Sequence, residues 1–317
     1  MILETGIVVK STGSWYDVMG PSGEIVKCRI VGKFRLNDMI LTNPVAVGDR
    51  VGWSKEGEAQ GLIKKILPRR NYVARQSPRK KHHLHLLASN IDQALLFVTV
   101  VEPMLKQGFI DRFLLTTEPH DIPVRIVFNK CDLYDEGAMA LYEEMRDIYE
   151  AIGYETQLFS SVTGEGAVAL QDFLKDKTTL VAGQSGVGKS SAVNALQPKM
   201  DLRTGDLSGW SGKGQHTTTF AEMHPLDFGG YLIDTPGIKT LGFNNINPQD
   251  IAHNFREFFA LSPKCRFGGN CMHRNEPDCA VKEALESGEL SMLRYGNYLM
   301  LLEEVEDLNY WERNKEA

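Results

Sequence analysis

Eight consecutive residues, Gly183-Gln184-Ser185-Gly186-Val187-Gly188-Lys189-Ser190, have the types and the spacing of a phosphate-binding loop, G-x-x-x-x-G-K-[ST]. Glycines let a backbone close around a phosphate, so that several N–H groups and the start of the following helix point at the anion. Lys189 is placed to reach the β- and γ-phosphates of a nucleotide, and the Ser190 hydroxyl to hold Mg²⁺, with Ser191 beside it. The flanks agree. Thr178–Ala182 reads as a short buried strand, and Ser191–Leu196 can continue as a helix. By composition alone, such a loop arises by accident in about one chain in a hundred of this length.

A second constellation selects a base. Asn129-Lys130-Cys131-Asp132 follows the apolar stretch Val124–Phe128 and fits N-K-x-D. A carboxylate at Asp132 can accept hydrogen bonds from N1–H and the 2-amine of guanine. Adenine offers neither donor, and a mispaired buried carboxylate is costly. Asn129 would brace the loop and reach N7, and the Lys130 stem would cover one face of the base. Ser160-Ser161-Val162 ends the strand Thr156–Phe159, where a backbone N–H could meet guanine O6. Taken alone, it reads better as a plain strand-end turn.

Asp234-Thr235-Pro236-Gly237 follows the strand Gly230–Ile233 and fits D-x-x-G. Asp234 would hold Mg²⁺ through water, and the Gly237 N–H would sense a γ-phosphate. The pattern is expected about once by chance in any chain this long, so its weight comes from the strand that delivers it. Before it lies a polar, glycine-rich stretch ending Gln215-His216-Thr217-Thr218-Thr219. One of Thr217, Thr218 and Thr219 could join the magnesium shell when a γ-phosphate is present. His216 is a candidate to assist an attacking water, with a loop-packing histidine equally open. After Gly237 comes Ile238, where many GTPases place a water-orienting glutamine. An aliphatic side chain cannot orient water, so slow intrinsic turnover and help from a partner are expected.

The third constellation is Cys265, Cys271, His273 and Cys279, three thiolates and an imidazole within fifteen positions. Four soft or borderline ligands on a short Gly- and Pro-containing loop suit a closed, tetrahedral structural Zn²⁺ site. With every position filled by protein, a catalytic metal is disfavoured. Cys28 and Cys131 stand apart and read as packing thiols, although Cys131 also belongs to the base-reading loop.

These residues need elements to position them. The 317 residues suffice for two or three domains, and 42% hydrophobic with 24% charged residues is ordinary for a globular chain. The net charge of −6 means that an RNA contact must be a local patch. Residues 1–68 carry about five short strands: Gly6–Val9, Tyr16–Val18, Glu24–Ile30, Asp49–Trp53 and Gly61–Ile66. Turn signals separate them, and the count suits an OB-type β-barrel. Such a barrel binds oligonucleotides or serves as a structural or docking module, and the residues do not choose. Pro68–His83 is strongly basic and reads as a linker available to phosphate backbones.

Residues 69–245 alternate strands with helices, which predicts a mostly parallel sheet covered on both faces. The long apolar stretch is Ala94–Val101, with helices near Gln107–Thr117 and Asp135–Ile152. Residues 246–317 read as a zinc-binding helical domain, helical from about Ala280 to Arg313, with Leu285, Leu290, Leu293, Tyr298, Leu301 and Leu302 for packing. No apolar run is long enough for a membrane span, and Met1–Thr5 lacks the regions of a signal peptide. Clustered, odd-numbered cysteines suit a reducing compartment. The expectation is a cytoplasmic monomer.

The base-reading loop precedes the phosphate loop, and D-x-x-G comes last. Permuting an ordinary GTPase in this way preserves its core contacts. With a barrel in front and a Cys/His cluster behind, the whole chain resembles the ribosome small-subunit-dependent GTPase A family. The resemblance implies a multidomain α/β fold with a circularly permuted GTPase domain, GTP or GDP with Mg²⁺ and one structural Zn²⁺. It also implies late maturation of the small ribosomal subunit, with that subunit and its rRNA as partners. One departure is the five residues between Cys265 and Cys271, where the family has four; Gly268-Gly269 lengthen the loop without removing a ligand. The alternative is a non-catalytic, nucleotide-gated RNA-binding scaffold.

Overall fold

The computed structural model describes residues 3–30, 41–57, 60–76, 84–106, 108–198, 221–234 and 246–313. The first strands are β1 (Glu4–Ser11), β2 (Tyr16–Met19), β3 (Ile25–Ile30), β4 (Leu41–Asn43), β5 (Arg50–Glu56) and β6 (Gln60–Ile66). Five of them close on themselves in the order β1-β2-β3-β6-β5, with β5 returning to pair with β1 and β3–β6 as the parallel pair. Closure leaves no sheet edge unpaired. The alternating inward side chains, Val8, Tyr16, Val18, Cys28, Val51, Trp53 and Ile63, fill the barrel with Val45. Gly6 lets strands approach, because a Cβ there would lie 2.5 Å from Val18 Cγ1 and 2.9 Å from the Met19 carbonyl oxygen.

The five barrel strands are those expected. β4 is not, and it pairs outside the barrel with β8 (Leu84–Ser89), which also pairs with β7 (Tyr72–Gln76). The stretch read as a basic linker therefore contains a strand. Two arginines that precede this strand are used by the fold itself. Arg69 grips both oxygens of buried Asp49 at 2.6 Å and donates to the Pro44 carbonyl at 2.8 Å. Arg70 donates to Ile91 O and Asp92 Oδ1, both at 2.7 Å.

The following elements are β9 (Gln93–Val98), α1 (Phe109–Thr117), β10 (Val124–Asn129), α2 (Glu136–Ala151), β11 (Glu155–Phe159) and α3 (Ala167–Leu174). After them come β12 (Thr178–Gly183), α4 (Lys189–Leu196), β13 (Glu222–Pro225) and β14 (Tyr231–Asp234). The sheet runs β11-β10-β9-β12-β14-β13, parallel except for β13. β9 is buried along its whole length, as a central parallel strand covered on both faces must be. Ala94, Leu96 and Val98 pack on one face with α1 and α2. Leu95 and Phe97 pack on the other with α3 and α4.

β13 also pairs with β1 through Lys10 and Glu222, whose side chains meet at 2.7 Å, so the barrel and the sheet are hydrogen-bonded together. The chain ends in α5 (Pro248–His253), α6 (Arg256–Leu261), α7 (Ala280–Glu286) and α8 (Met292–Arg313). Phe255, Phe258, Tyr298, Leu301 and Leu302 form a core around the cysteines. This cluster is bolted to α1 by buried ions. Arg294 donates to both oxygens of Glu257 at 2.8 and 3.0 Å and to Asp111 at 2.5 Å. Tyr149 and Asn297 also donate to Asp111. Arg112 and Glu304 form a further pair, with one contact at 2.8 Å.

Candidate nucleotide site and metal centre

Parallel registration brings the chemistry to one edge. Phe128 pairs with Val98, Asn129 with Phe159, Gly183 with Phe97, and Val181 with Asp234. The carboxyl ends of β10, β11, β12 and β14 therefore lie side by side. This is where open α/β sheets bind ligands, in the crevice outside the carboxyl ends of the strands.

The phosphate loop leaves β12 at Gly183, turns through Gly186 (φ 83°) and Gly188 (φ 88°), and enters α4 at Lys189. Lys189 is buried, its Nζ donating to the carbonyls of Gly183 at 2.8 Å and Gln184 at 2.9 Å. Those carbonyls hold the ammonium across the loop, the position from which a lysine meets a bound phosphate. Ser190 and Asp234 are buried too, and Val187 is packed into the core beneath. Gln184 brings a buried amide nitrogen into the loop with no partner among the described residues.

The base-reading loop touches this one directly. Asn129 Nδ2 donates to the Val187 carbonyl at 2.7 Å. A Cβ on Gly188 would sit 2.6 Å from that same nitrogen, so only glycine allows the approach. The Asn129 amide oxygen is buried with no partner among the described residues. Lys130 takes a left-handed conformation (φ 63°), opening a tight turn that presents exposed Asp132. Ser160 Oγ donates to Asp132 Oδ1 at 2.5 Å and accepts from the N–H groups of Val162 (3.1 Å) and Thr163 (3.2 Å). Ser160 is thus buried and orients the carboxylate, whereas Ser161 is half-buried and Val162 is exposed at the rim. Cys131, half-buried in the turn, has its thiol pushed up by burial and by the carboxylates of Glu165 and Asp132, so it stays a neutral packing group.

One wall of the site has no sequence signal. The connection from β9 to α1 lies against both loops. Lys130 Nζ donates to the Glu102 carbonyl at 2.6 Å, and a Cβ on Gly186 would meet Pro103 Cδ at 3.6 Å. Its contribution runs through a backbone carbonyl and ring packing, which no motif encodes. Gly237, Ile238, His216, Thr217, Thr218 and Thr219 lie outside the described residues, as does the basic stretch from residue 77 to 83.

Cys265, Cys271, His273 and Cys279 form a group that could hold a metal ion, all buried, with candidate ligand atoms within 4.8 Å of one another. Sulfur–sulfur separations are 4.0 Å for Cys265–Cys279 and 3.8 Å for Cys271–Cys279, and His273 Nδ1 lies 3.4 Å from Cys279 Sγ. Around a tetrahedral ion bound at about 2.3 Å, sulfurs sit about 3.8 Å apart. The donor set fits zinc. His273 Nε2 faces Ser262 Oγ at 3.3 Å, the partner that fixes which ring nitrogen faces the metal. Tyr298 and Tyr295 hold the ligand loop by its backbone, donating to Met272 O at 2.6 Å and His273 O at 2.8 Å.

A sheet with the phosphate loop on β12, a base-reading loop on β10 and a chain order that reverses them defines a circularly permuted P-loop GTPase. Comparison with known proteins agrees. A profile of the RsgA GTPase family matches residues 66–244, and one of the RsgA N-terminal domain matches residues 5–63. The small ribosomal subunit biogenesis GTPase RsgA of Bacteroides fragilis is 45% identical over 305 residues, 96% of this chain and 98% of that one. That of Flavobacterium psychrophilum is 46% identical over 302 residues, 94% and 92% respectively. YjeQ from Thermotoga maritima superposes with a TM-score of 0.76 at 36% identity, covering 95% of this chain and 98% of that one. YloQ, described as a circularly permuted GTPase, does so with 0.71 at 32%, covering 96% of each. The chain belongs to the RsgA GTPase family.

Proposed function

We propose that the chain binds GTP across the edge where β10, β11, β12 and β14 end, and hydrolyses it in support of small-subunit maturation. The contact between Asn129 and Val187 carries this reading, because one guanine nucleotide can then span base and phosphate loops. Asp132 reads the base, Ser160 aims it, Ser161 and Val162 supply the rim, and Asn129, Lys130 and Cys131 shape the turn. Gly183, Gln184, Ser185, Gly186, Val187, Gly188, Lys189, Ser190 and Ser191 form the phosphate cradle. Ser190 and Asp234 are the residues that would hold Mg²⁺, which when bound neutralises charge on the β- and γ-phosphates. Lys189 counters the charge that develops as water attacks the γ-phosphorus. Gly237 and one of Thr217, Thr218 and Thr219 are assigned to sensing that phosphate, and His216 to assisting the water.

The functional units are read as a barrel (1–68), a GTPase domain (69–245) and a zinc domain (246–317). The barrel and the basic stretch are assigned to rRNA, except Arg69, which is spent on buried Asp49. Among the described residues no helix is long and apolar enough to cross a membrane, and the reading places a monomer on ribosomal subunits in the cytoplasm. The test is GTP turnover by the purified chain with and without purified small subunits. Stimulation supports the reading. Turnover that the subunits leave unchanged favours a nucleotide-gated scaffold.

A further inference from the structure

The ladder between β9 and β10 stops one rung short, at the point where the base-reading turn begins. Ala94 N–H donates to the Pro123 carbonyl at 2.8 Å, and the register runs from Ala94–Val124 to Val98–Phe128. In a parallel pair, rungs on one strand recur every second residue. The next would run from Val100 N–H to the Asn129 carbonyl. A side chain stands there instead: Tyr134 Oη donates to Asn129 O at 2.9 Å and lies 3.5 Å from Val100 N, whose hydrogen it accepts.

The same phenol closes the turn. Leu133 N–H donates to Lys130 O at 2.9 Å and Tyr134 N–H to Cys131 O at 3.1 Å, so the chain curls back and the ring returns to the residue that opened it. Asp132 sits between these two ends. Its other restraints, from Ser160 and through Lys130 to Glu102, act on side chains. Tyr134 fixes the main chain of the turn to the neighbouring strand. Burial raises the pKa of its hydroxyl, so it remains a proton donor at neutral pH.

We propose that Tyr134 is a positioning residue for guanine selection, clasping the base-reading turn and standing in for the missing rung between β9 and β10. The proposal rests on the guanine-nucleotide reading above. A carboxylate that must accept two hydrogen bonds at once tolerates little displacement, so loosening the turn lowers discrimination more than phosphate binding. Loss of the 2-amine contact is the sensitive readout.

The test is calorimetric titration of the full chain and its Tyr134→Phe variant with GDP and with IDP, whose base lacks the 2-amine. The variant should bind GDP about tenfold more weakly, the scale of two neutral hydrogen bonds, and its GDP-over-IDP preference should shrink several-fold. Zinc content and melting temperature should stay close to the parent's. A preference equal to the parent's overturns the proposal, whether or not affinity falls, because a merely structural role weakens both ligands alike. Thr99→Val, which deletes a hydroxyl near enough to the phenol to offset part of the rise that burial causes in its pKa, should shift the preference the same way by less, and an unchanged ratio there counts against it even if Tyr134→Phe does not fold. A parent chain that binds ADP as well as GDP defeats the underlying reading, a result distinct from any of these.

Discussion

Gly188 is where the two halves of the nucleotide site touch. It combines a φ of 88° with 2.6 Å between a hypothetical Cβ and Asn129 Nδ2. Gly188→Ala therefore meets both backbone strain and a steric clash, and GDP affinity should fall by tenfold or more in a calorimetric titration, given strain of about 1–3 kcal/mol. Gly57 (φ 73°) has nothing within 4 Å, so Gly57→Ala should cost stability through strain alone and leave GDP binding intact. Asp132 offers a sharper chemical test. Asp132→Asn replaces an acceptor with a donor, which suits the 2-oxo group of xanthine. Competition between GDP and XDP should reverse in favour of XDP, and retained GDP preference would remove Asp132 from the base-reading role.

At the scale of elements, the zinc loop and the α1–α8 junction make different demands. Cys279 immediately precedes α7 and lies within 4.0 Å of all three other ligand atoms, so Cys279→Ser should abolish stoichiometric zinc, read by metal analysis. Because structural zinc contributes folding energy outright, a low-temperature unfolding transition of the C-terminal helices should appear. At the junction, Arg294 has its side chain 3% exposed between Asp111 and Glu257. Arg294→Met leaves two buried carboxylates without their cation, a loss of about 3–5 kcal/mol in urea unfolding. Adding Asp111→Asn and Glu257→Gln should recover part of it, since the penalty lies in the orphaned charge.

The whole molecule is organised around strand β13. It pairs with β14, which delivers Asp234, and with β1 of the barrel, while α1 is joined to the C-terminal helices through Asp111 and Arg112. A change at the nucleotide has a covalent and hydrogen-bonded route to both outer parts. The Lys10–Glu222 pair is more than a third exposed, so it adds at most about 1 kcal/mol and the backbone pairing does the joining. If GTP fixes the relative pose of the parts, affinity for small subunits should be higher with a non-hydrolysable GTP analogue than with GDP, measured by co-sedimentation. Equal affinities would rule out such coupling.

Sequence alone determined the chemistry that depends on consecutive residues. A phosphate cradle, a guanine-reading carboxylate and a four-ligand metal loop each need their groups within a few positions, so Gly183–Ser190, Asn129–Asp132 and Cys265–Cys279 could be singled out as candidates without coordinates, and the barrel strands were legible by their alternation. Tertiary structure decided what depends on distant partners. It turned Arg69 into an internal clamp on Asp49, made a strand of part of a basic linker, and raised the β9–α1 connection into a wall of the site. It also placed Tyr134 in a gap of the ladder. In each case a partner is a main-chain group or a carboxylate distant in the sequence, and a hydrogen bond to such a group leaves no periodic or local trace in the order of the amino acids.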